Sequence, residues 1–239
     1  MTEHTGKNRM DIQPDLYTRL AAAYVRGMRI QPSADDAALF AAPLDTLDDA
    51  QLDALVRIGR AAQLRLHRFK RTMGLPRVAK VLGILKGIAP AELLDIGSGR
   101  GAFLWPLLDA FPWLPITALD MLDYRVAGIQ ALREGGVETL TAVHGDATSM
   151  PFGDGQFDIV TLLEVLEHIP DTGRALAEVC RVARRFVVLS VPSKPDNNPE
   201  HIHLFDMAML KQLLRAAGAE HVTFDYVPGH LIAVAKLSR

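Results

Sequence analysis

From Pro90 onward, short apolar runs alternate with stretches of helical spacing, and this alternation constrains the fold more than any other feature of the chain. Leu93, Leu94 and Ile96 form a run that ends in glycines. Others lie at Ile116 to Leu119, Leu140 to Val143, Phe157 to Leu163 and Phe186 to Val191. Helical patterns separate most of them, at 102–111, 124–134, 172–183 and 206–217. Short apolar runs divided by helices suit a parallel sheet covered on both faces. The end of the chain differs. Val222 to Tyr226 and Leu231 to Ala235 are joined by a Pro228-Gly229 turn with no helix between, so these two strands are expected to pair antiparallel.

Residues 14–88 carry a helical pattern throughout, with Leu16, Leu20, Ala23 and Tyr24 on one face of a first helix. Pro32 and Ser33 end that helix and Pro43 ends a short second one. Thr46, with Asp49 three residues on, resembles an N-cap, and a long helix is expected to run from there to about Thr72. Gly74 and Pro76 stop it, and Pro76 opens a further helix to Ile88, where its missing N–H is no loss. Residues 1–10 read as disordered. The expected division is a helical region over 1–88 and an α/β core over 89–239.

With 239 residues, 49% of them hydrophobic, the chain can bury one large core with an added helical part. It has no apolar run near the roughly 18 residues of a membrane span, and Met1 to Arg9 lacks the apolar stretch of a secretory signal. Cys180 is the only cysteine, which excludes an internal disulfide and a cysteine-built zinc site; a cytoplasmic location is expected. The net charge of -2 names no polyionic partner, but its distribution is uneven. Arg57, Arg60, Arg65, Arg68, Lys70, Arg71, Arg77, Lys80 and Lys86 fall in a stretch without Asp or Glu. It reads as a solvated helix face or, as the sharper alternative, a surface for an anionic substrate.

Chemistry is concentrated at strand ends. Leu93-Leu94-Asp95-Ile96-Gly97-Ser98-Gly99-Arg100-Gly101 reads as a strand, a glycine turn and a helix start, which lets a ligand approach the backbone. The third glycine follows after one residue, whereas the dinucleotide fingerprint leaves two. Asp120 closes the second strand, where a carboxylate can hold both ribose hydroxyls. His144-Gly145-Asp146-Ala147 follows the third; there Asp146 can accept from an adenine amine while Ala147 offers its N–H.

These elements, with Phe157-Asp158-Ile159-Val160 and Glu164 after them, resemble the successive motifs of class I S-adenosylmethionine-dependent methyltransferases, most of all the ubiquinone and menaquinone biosynthesis group. The resemblance covers about residues 91–236. It implies a Rossmann-like, mostly parallel seven-stranded sheet with a terminal antiparallel hairpin, and S-adenosyl-L-methionine as cofactor. It implies further that Asp95, Gly97, Ser98, Gly99, Gly101 and Glu164 lie by the methionyl part. Asp120 and Met121 would lie by the ribose and its surroundings, and Asp146 and Ala147 by the adenine. The helices before residue 90 lie outside the shared core; in such enzymes that region commonly caps the acceptor site.

Methyl transfer from a sulfonium needs an aligned nucleophile and, where necessary, removal of its proton. Candidates are Glu164, Glu167 and His168 after the fourth strand, on one face if that turn is helical, and His201 and His203 after the fifth. Glu164, His168 and His203 are taken as the catalytic set. The segment Pro192 to Pro199 reads as a long loop over the site. The Glu-x-x-Glu-His pattern with a later His also resembles the metal-dependent small-RNA 3′-terminal 2′-O-methyltransferases, by which Glu164, Glu167, His168 and His203 would be ligands. The rest of that family's pattern around the later histidine is absent, so no metal is expected. The expectation is methyl transfer to a small or medium-sized acceptor. An RNA 2′-O-methyltransferase, a nicotinamide reductase and a non-catalytic cofactor-binding module are the rivals. Trp105, Phe103 and Cys180 read as core.

Overall fold

A computed structural model describes residues 15–69 and 74–238. The expected disorder before residue 11, the end of the long helix at Thr72, and Lys70 and Arg71 of the basic stretch lie outside the described residues. The helices are α1 (Leu16–Gly27), α2 (Ala37–Ala41), α3 (Asp49–Ala61), α4 (Pro76–Ile88), α5 (Leu104–Ala110), α6 (Asp123–Glu134), α7 (Thr172–Val182) and α8 (Met207–Ala216). The strands are β1 (Leu93–Ile96), β2 (Ile116–Asp120), β3 (Leu140–His144), β4 (Phe157–Leu163), β5 (Ala183–Pro192), β6 (Ala219–Val227) and β7 (His230–Leu237).

The strands form one seven-stranded sheet in the order β3-β2-β1-β4-β5-β7-β6. β1 to β5 pair in parallel, and β7 lies antiparallel to both β5 and β6. The fold is therefore the Rossmann-like sheet that the family resemblance implies, and it ends in the antiparallel hairpin that the sequence pattern predicts. Side chains alternate across it. Leu93, Ile116, Ala118, Ile159, Val188 and Ile232 face the layer containing α1, α3, α4, α5 and α6. Leu94, Ile96, Leu119, Val160, Leu162 and Leu189 face α7 and α8. α1 to α4 thus share a continuous apolar core with one face of the sheet.

α1 reaches that core by packing on α6 at very small residues. A Cβ on Gly27 would stand 1.8 Å from the Ala131 carbonyl oxygen, so the two backbones meet where a side chain would have to stand. α3 is capped by Asp48 rather than by Thr46. The Asp48 carboxylate accepts from the Gln51 amide at 2.8 Å, and the Gln51 side chain accepts from the Asp48 amide at 2.9 Å, a reciprocal capping box. Thr46 instead donates its hydroxyl to the Pro43 carbonyl at 2.7 Å. The helix also ends earlier than its pattern predicts, at Ala61. Gln63 there takes a left-handed conformation with φ 58°. The Gln63 amide donates to the Arg60 carbonyl and the Leu64 amide to the Gly59 carbonyl, which is the Schellman arrangement.

Candidate active site

The glycine turn follows β1 as its pattern predicts. Gly97, Gly99 and Gly101 have φ of 68°, 57° and 80°. At Gly101 the requirement is twofold, because a Cβ would also stand 1.9 Å from the indole of Trp105. Trp105 is buried, stacks beside Phe69 and donates from its ring nitrogen to the Arg68 carbonyl at 3.1 Å. The turn is thereby pressed against a fixed wall. Asp95, Gly97, Ser98, Gly99, Arg100, Ala102, Phe103, Leu163, Glu164, Arg77 and Val78 line a cleft with about 490 Å³ of space that opens to solvent.

Asp95 is buried at the floor of this cleft, accepting from the Ser98 hydroxyl at 2.7 Å and the Thr161 hydroxyl at 2.8 Å. Burial pushes its carboxyl up to about 6, and the two hydroxyls oppose that shift. Asp120, also buried, accepts from the Gly99 amide through one oxygen and from the Leu122 amide through the other, each at 3.0 Å. A carboxylate oxygen has about two lone-pair sites. Oδ1 therefore retains one for a further donor, whereas the second site of Oδ2 is met by Arg125 at 3.5 Å, a long contact that an incoming hydroxyl would displace. Asp146 closes a small turn by accepting from the Thr148 amide and hydroxyl and is otherwise exposed, beside buried Ala147. Met121 is 67% exposed, an apolar side chain standing in water next to Asp120.

The other wall is built by sheet order. β5 lies between β4 and β7, pairing Leu163 with Ser190, Ser190 with Ile232, and Pro192 with His230. This brings together Glu164, Ser190 and His230, residues far apart in the chain. Glu164 accepts from the Ser190 hydroxyl at 2.7 Å and pairs with the His230 Nε2 at 3.1 Å. Its φ is 55°, a conformation that a residue with a side chain adopts when its surroundings impose it. Arg77, from the start of α4, reaches within 3.5 Å of the same imidazole.

Glu164, Glu167 and His168 do not share a helical face. Only 166–168 form a single 3-10 turn, and Glu164 precedes it in the left-handed conformation. Glu164 turns to the cleft. Glu167 is completely buried, and burial, with the nearby Glu164 charge adding, pushes its carboxyl up to about 8. His168 and His203 are not among the cleft-lining residues. His168 Nδ1 is 2.9 Å from the Glu200 carbonyl, and His203 Nε2 is 3.1 Å from the Ile169 carbonyl. Three described members of the basic stretch have separate partners. Arg68 stacks over Tyr24, Arg77 enters the cleft, and Lys80 pairs with Asp225. Ser190 and His230 were not legible as site residues, since they reach Glu164 across strands. Arg125 lies in the first turn of α6, close to Asp120 in the chain, and Arg77 belongs to the basic stretch read as a possible anion surface.

Residues 94–189 match the family model described as a methyltransferase domain. The chain is 30% identical over 169 residues to a demethylmenaquinone methyltransferase of Roseiflexus sp. strain RS-1, covering 66% of this chain and 68% of that protein. It is 33% identical over 105 residues to a malonyl-acyl-carrier-protein O-methyltransferase of Geobacter sulfurreducens, covering 43% of this chain and 39% of the other. An O-methyltransferase family protein of Burkholderia thailandensis has a similar fold, with TM-score 0.58 and 13% identity over 77% of this chain and 62% of that one. Among the described residues no helix is long and apolar enough to cross a membrane.

Proposed function

Because this chain belongs to the class I S-adenosylmethionine-dependent methyltransferases, we propose that the cleft beside Gly97, Gly99 and Gly101 holds that cofactor and presents its methyl group to a small or medium-sized acceptor. The observation that carries this reading is Asp120, a buried carboxylate whose two oxygens are oriented by the Gly99 and Leu122 amides. Such a group is pre-organised for two ribose hydroxyls. Asp95 with Ser98 would receive the methionyl end, Met121 and Asp120 the ribose side, and Asp146 and Ala147 the adenine, which leaves Glu164 to face the acceptor. When bound, the cofactor supplies an electrophilic methyl group on a sulfonium.

The protein's part is orientation and proton removal. Glu164 lines the cleft, and Ser190 and His230 each hold one of its oxygens. That anchoring suits a carboxylate that takes a proton from an acceptor at a fixed position. Arg77 beside it favours an acceptor that is anionic, or becomes so as the proton leaves. His168 and His203 would support the acceptor side from their loops, and Glu164, held by His230, is the stronger catalytic candidate because Glu164 itself lines the cleft. A demethylmenaquinone methyltransferase among the relatives makes a demethylated quinol the first acceptor to assay. We place the acceptor cap in residues 1–88 and the catalytic core in 89–239, with Arg77 and Val78 of α4 as the cap residues that reach the cleft.

Calorimetry with S-adenosylhomocysteine tests the reading. Micromolar binding is expected, about -8 kcal/mol, and Asp120→Ala should weaken it by about 1.5–3 kcal/mol through lost charged hydrogen bonds. Binding of a nicotinamide dinucleotide in place of either adenosyl compound would overturn it.

A further inference from the structure

The resemblance to the metal-dependent RNA methyltransferases groups Glu164, Glu167, His168 and His203, but the fold keeps only Glu167 and His168 of these together and brings His201 to them. The side chains of Glu167, His168 and His201 converge so that one ligand atom of each lies within 4.8 Å of the others. The geometry points to a divalent-cation site formed by a carboxylate oxygen of Glu167 and the Nε2 atoms of His168 and His201.

Three features beyond proximity argue for it. Glu167 is completely buried, yet neither of its carboxylate oxygens has a hydrogen-bond partner among the described residues. Buried carboxyl oxygens without partners are costly, and a bound cation that displaces the carboxyl proton is one of the few groups able to satisfy both oxygens there. Secondly, the two imidazoles are set for metal binding through one particular nitrogen. His201 Nδ1 is 2.9 Å from the Asp196 carboxylate, and His168 Nδ1 is 2.9 Å from the Glu200 carbonyl. An acceptor on Nδ1 fixes its proton there and leaves the Nε2 lone pair outward, the usual outer-shell support of a ligating histidine. Thirdly, a further carboxylate adjoins the set, that of Asp196 beside the His201 ring.

The segment carrying His201 is already attached to the turn carrying Glu167. The Ile202 amide donates to the Glu167 carbonyl at 3.0 Å, which ties the loop after β5 to the turn after β4. In a tetrahedral zinc site neighbouring ligand atoms are about 3.4 Å apart, as bonds of about 2.0–2.1 Å require. Ligand atoms that lie within 4.8 Å of one another would close to that spacing when a cation binds. Two imidazoles and one carboxylate make a three-ligand set with an open fourth position, which suits zinc and neighbouring first-row cations. His203 is not part of the set, since its Nε2 is engaged with the Ile169 carbonyl.

The test uses the untagged full chain, because a histidine tag would bind zinc by itself. After dialysis against a chelator, zinc is added back and followed by calorimetry and elemental analysis. One zinc per chain is expected. Glu167→Gln and His201→Ala should each weaken it by at least about a hundredfold, and Asp196→Ala by about tenfold, the range typical of outer-shell partners. His203→Ala should leave zinc affinity unchanged. Circular dichroism and S-adenosylhomocysteine binding identify any variant that fails to fold, in which case Asp196→Ala, on the exposed loop, carries the test. Absence of zinc binding, equal binding by the Glu167 and His201 variants, or loss in His203→Ala as large as in His201→Ala would each overturn the proposal. None of these results depends on methyl transfer, so its failure and that of the catalytic reading are distinguishable.

Discussion

The two walls of the cleft are built on opposite principles. On the cofactor side, around β1 and β2, Asp95 accepts two hydroxyl donors and Asp120 two amide donors, all in place before any ligand arrives. On the acceptor side, after β4 and β5, Glu164 has a left-handed backbone, and Glu167, outside the cleft lining, has a buried carboxyl without a hydrogen-bond partner among the described residues. Pre-organised groups give affinity because little ordering remains to be done on binding. Strained and under-bonded groups hold free energy that a ligand can release, and they gather where chemistry occurs. The difference suggests that the first wall is a receptor for an unchanging molecule and the second a fitting for a variable one.

If that contrast is right, the largest single effect lies in the cofactor wall. Gly101→Ala would force a Cβ into the Trp105 ring at a φ of 80°. Overpacking together with a left-handed alanine should destabilise the fold by about 3–5 kcal/mol. Thermal unfolding should show a large drop in Tm with loss of S-adenosylhomocysteine binding. An unchanged Tm would mean that the turn is loose, and the contrast between rigid and adaptable walls would fail.

The next effect separates the walls functionally. Glu164→Gln retains shape and the Ser190 contact but removes the charge that accepts a proton. We expect kcat to fall about a hundredfold, at the lower end for general-base loss, with the dissociation constant of S-adenosylhomocysteine within about threefold of the parent. A parallel loss in both quantities would assign Glu164 to the cofactor wall instead.

The same division explains what could be read from the residues alone. Asp95, the three glycines, Asp120 and Asp146 each sit in a strand-turn segment a few residues long, and the requirement for a carboxylate or a glycine is local. Their positions in the fold follow from the alternation of strands and helices. The partners of Glu164 are of another kind. Ser190 and His230 reach it because β5 inserts between β4 and β7, and a pairing of that sort leaves no mark at any single position. The four-residue metal set inspired by Glu-x-x-Glu-His has the same weakness. It assumes a helical turn after β4, whereas the left-handed Glu164 sends neighbouring carboxylates to different sides. The end of α3 was hidden for a simpler reason: Gln63, not a glycine, takes the left-handed position that closes it.

The smallest effect concerns Asp95 and works through pH. Its folded-state carboxyl is pushed up to about 6 by burial, above the ordinary 3.8, so the fold alone favours the protonated form. Stability contributed by that group is present at low pH and lost as pH rises through 6. Cofactor binding runs the other way. A methionyl ammonium needs the carboxylate, and placing a positive charge beside Asp95 would draw its pKa back down. Binding should then release a proton near neutral pH and tighten as pH rises through about 6, by about tenfold per unit below that value. Between pH 7.5 and pH 5 the dissociation constant of S-adenosylhomocysteine should increase by about tenfold, equivalent to about 1.4 kcal/mol. Asp95→Asn should bind more weakly at pH 7.5 and show a flat profile, since an amide neither titrates nor carries charge. A flat profile in the parent chain would place the ammonium elsewhere, and the best-bonded group of the cofactor wall would then be holding the turn rather than the ligand.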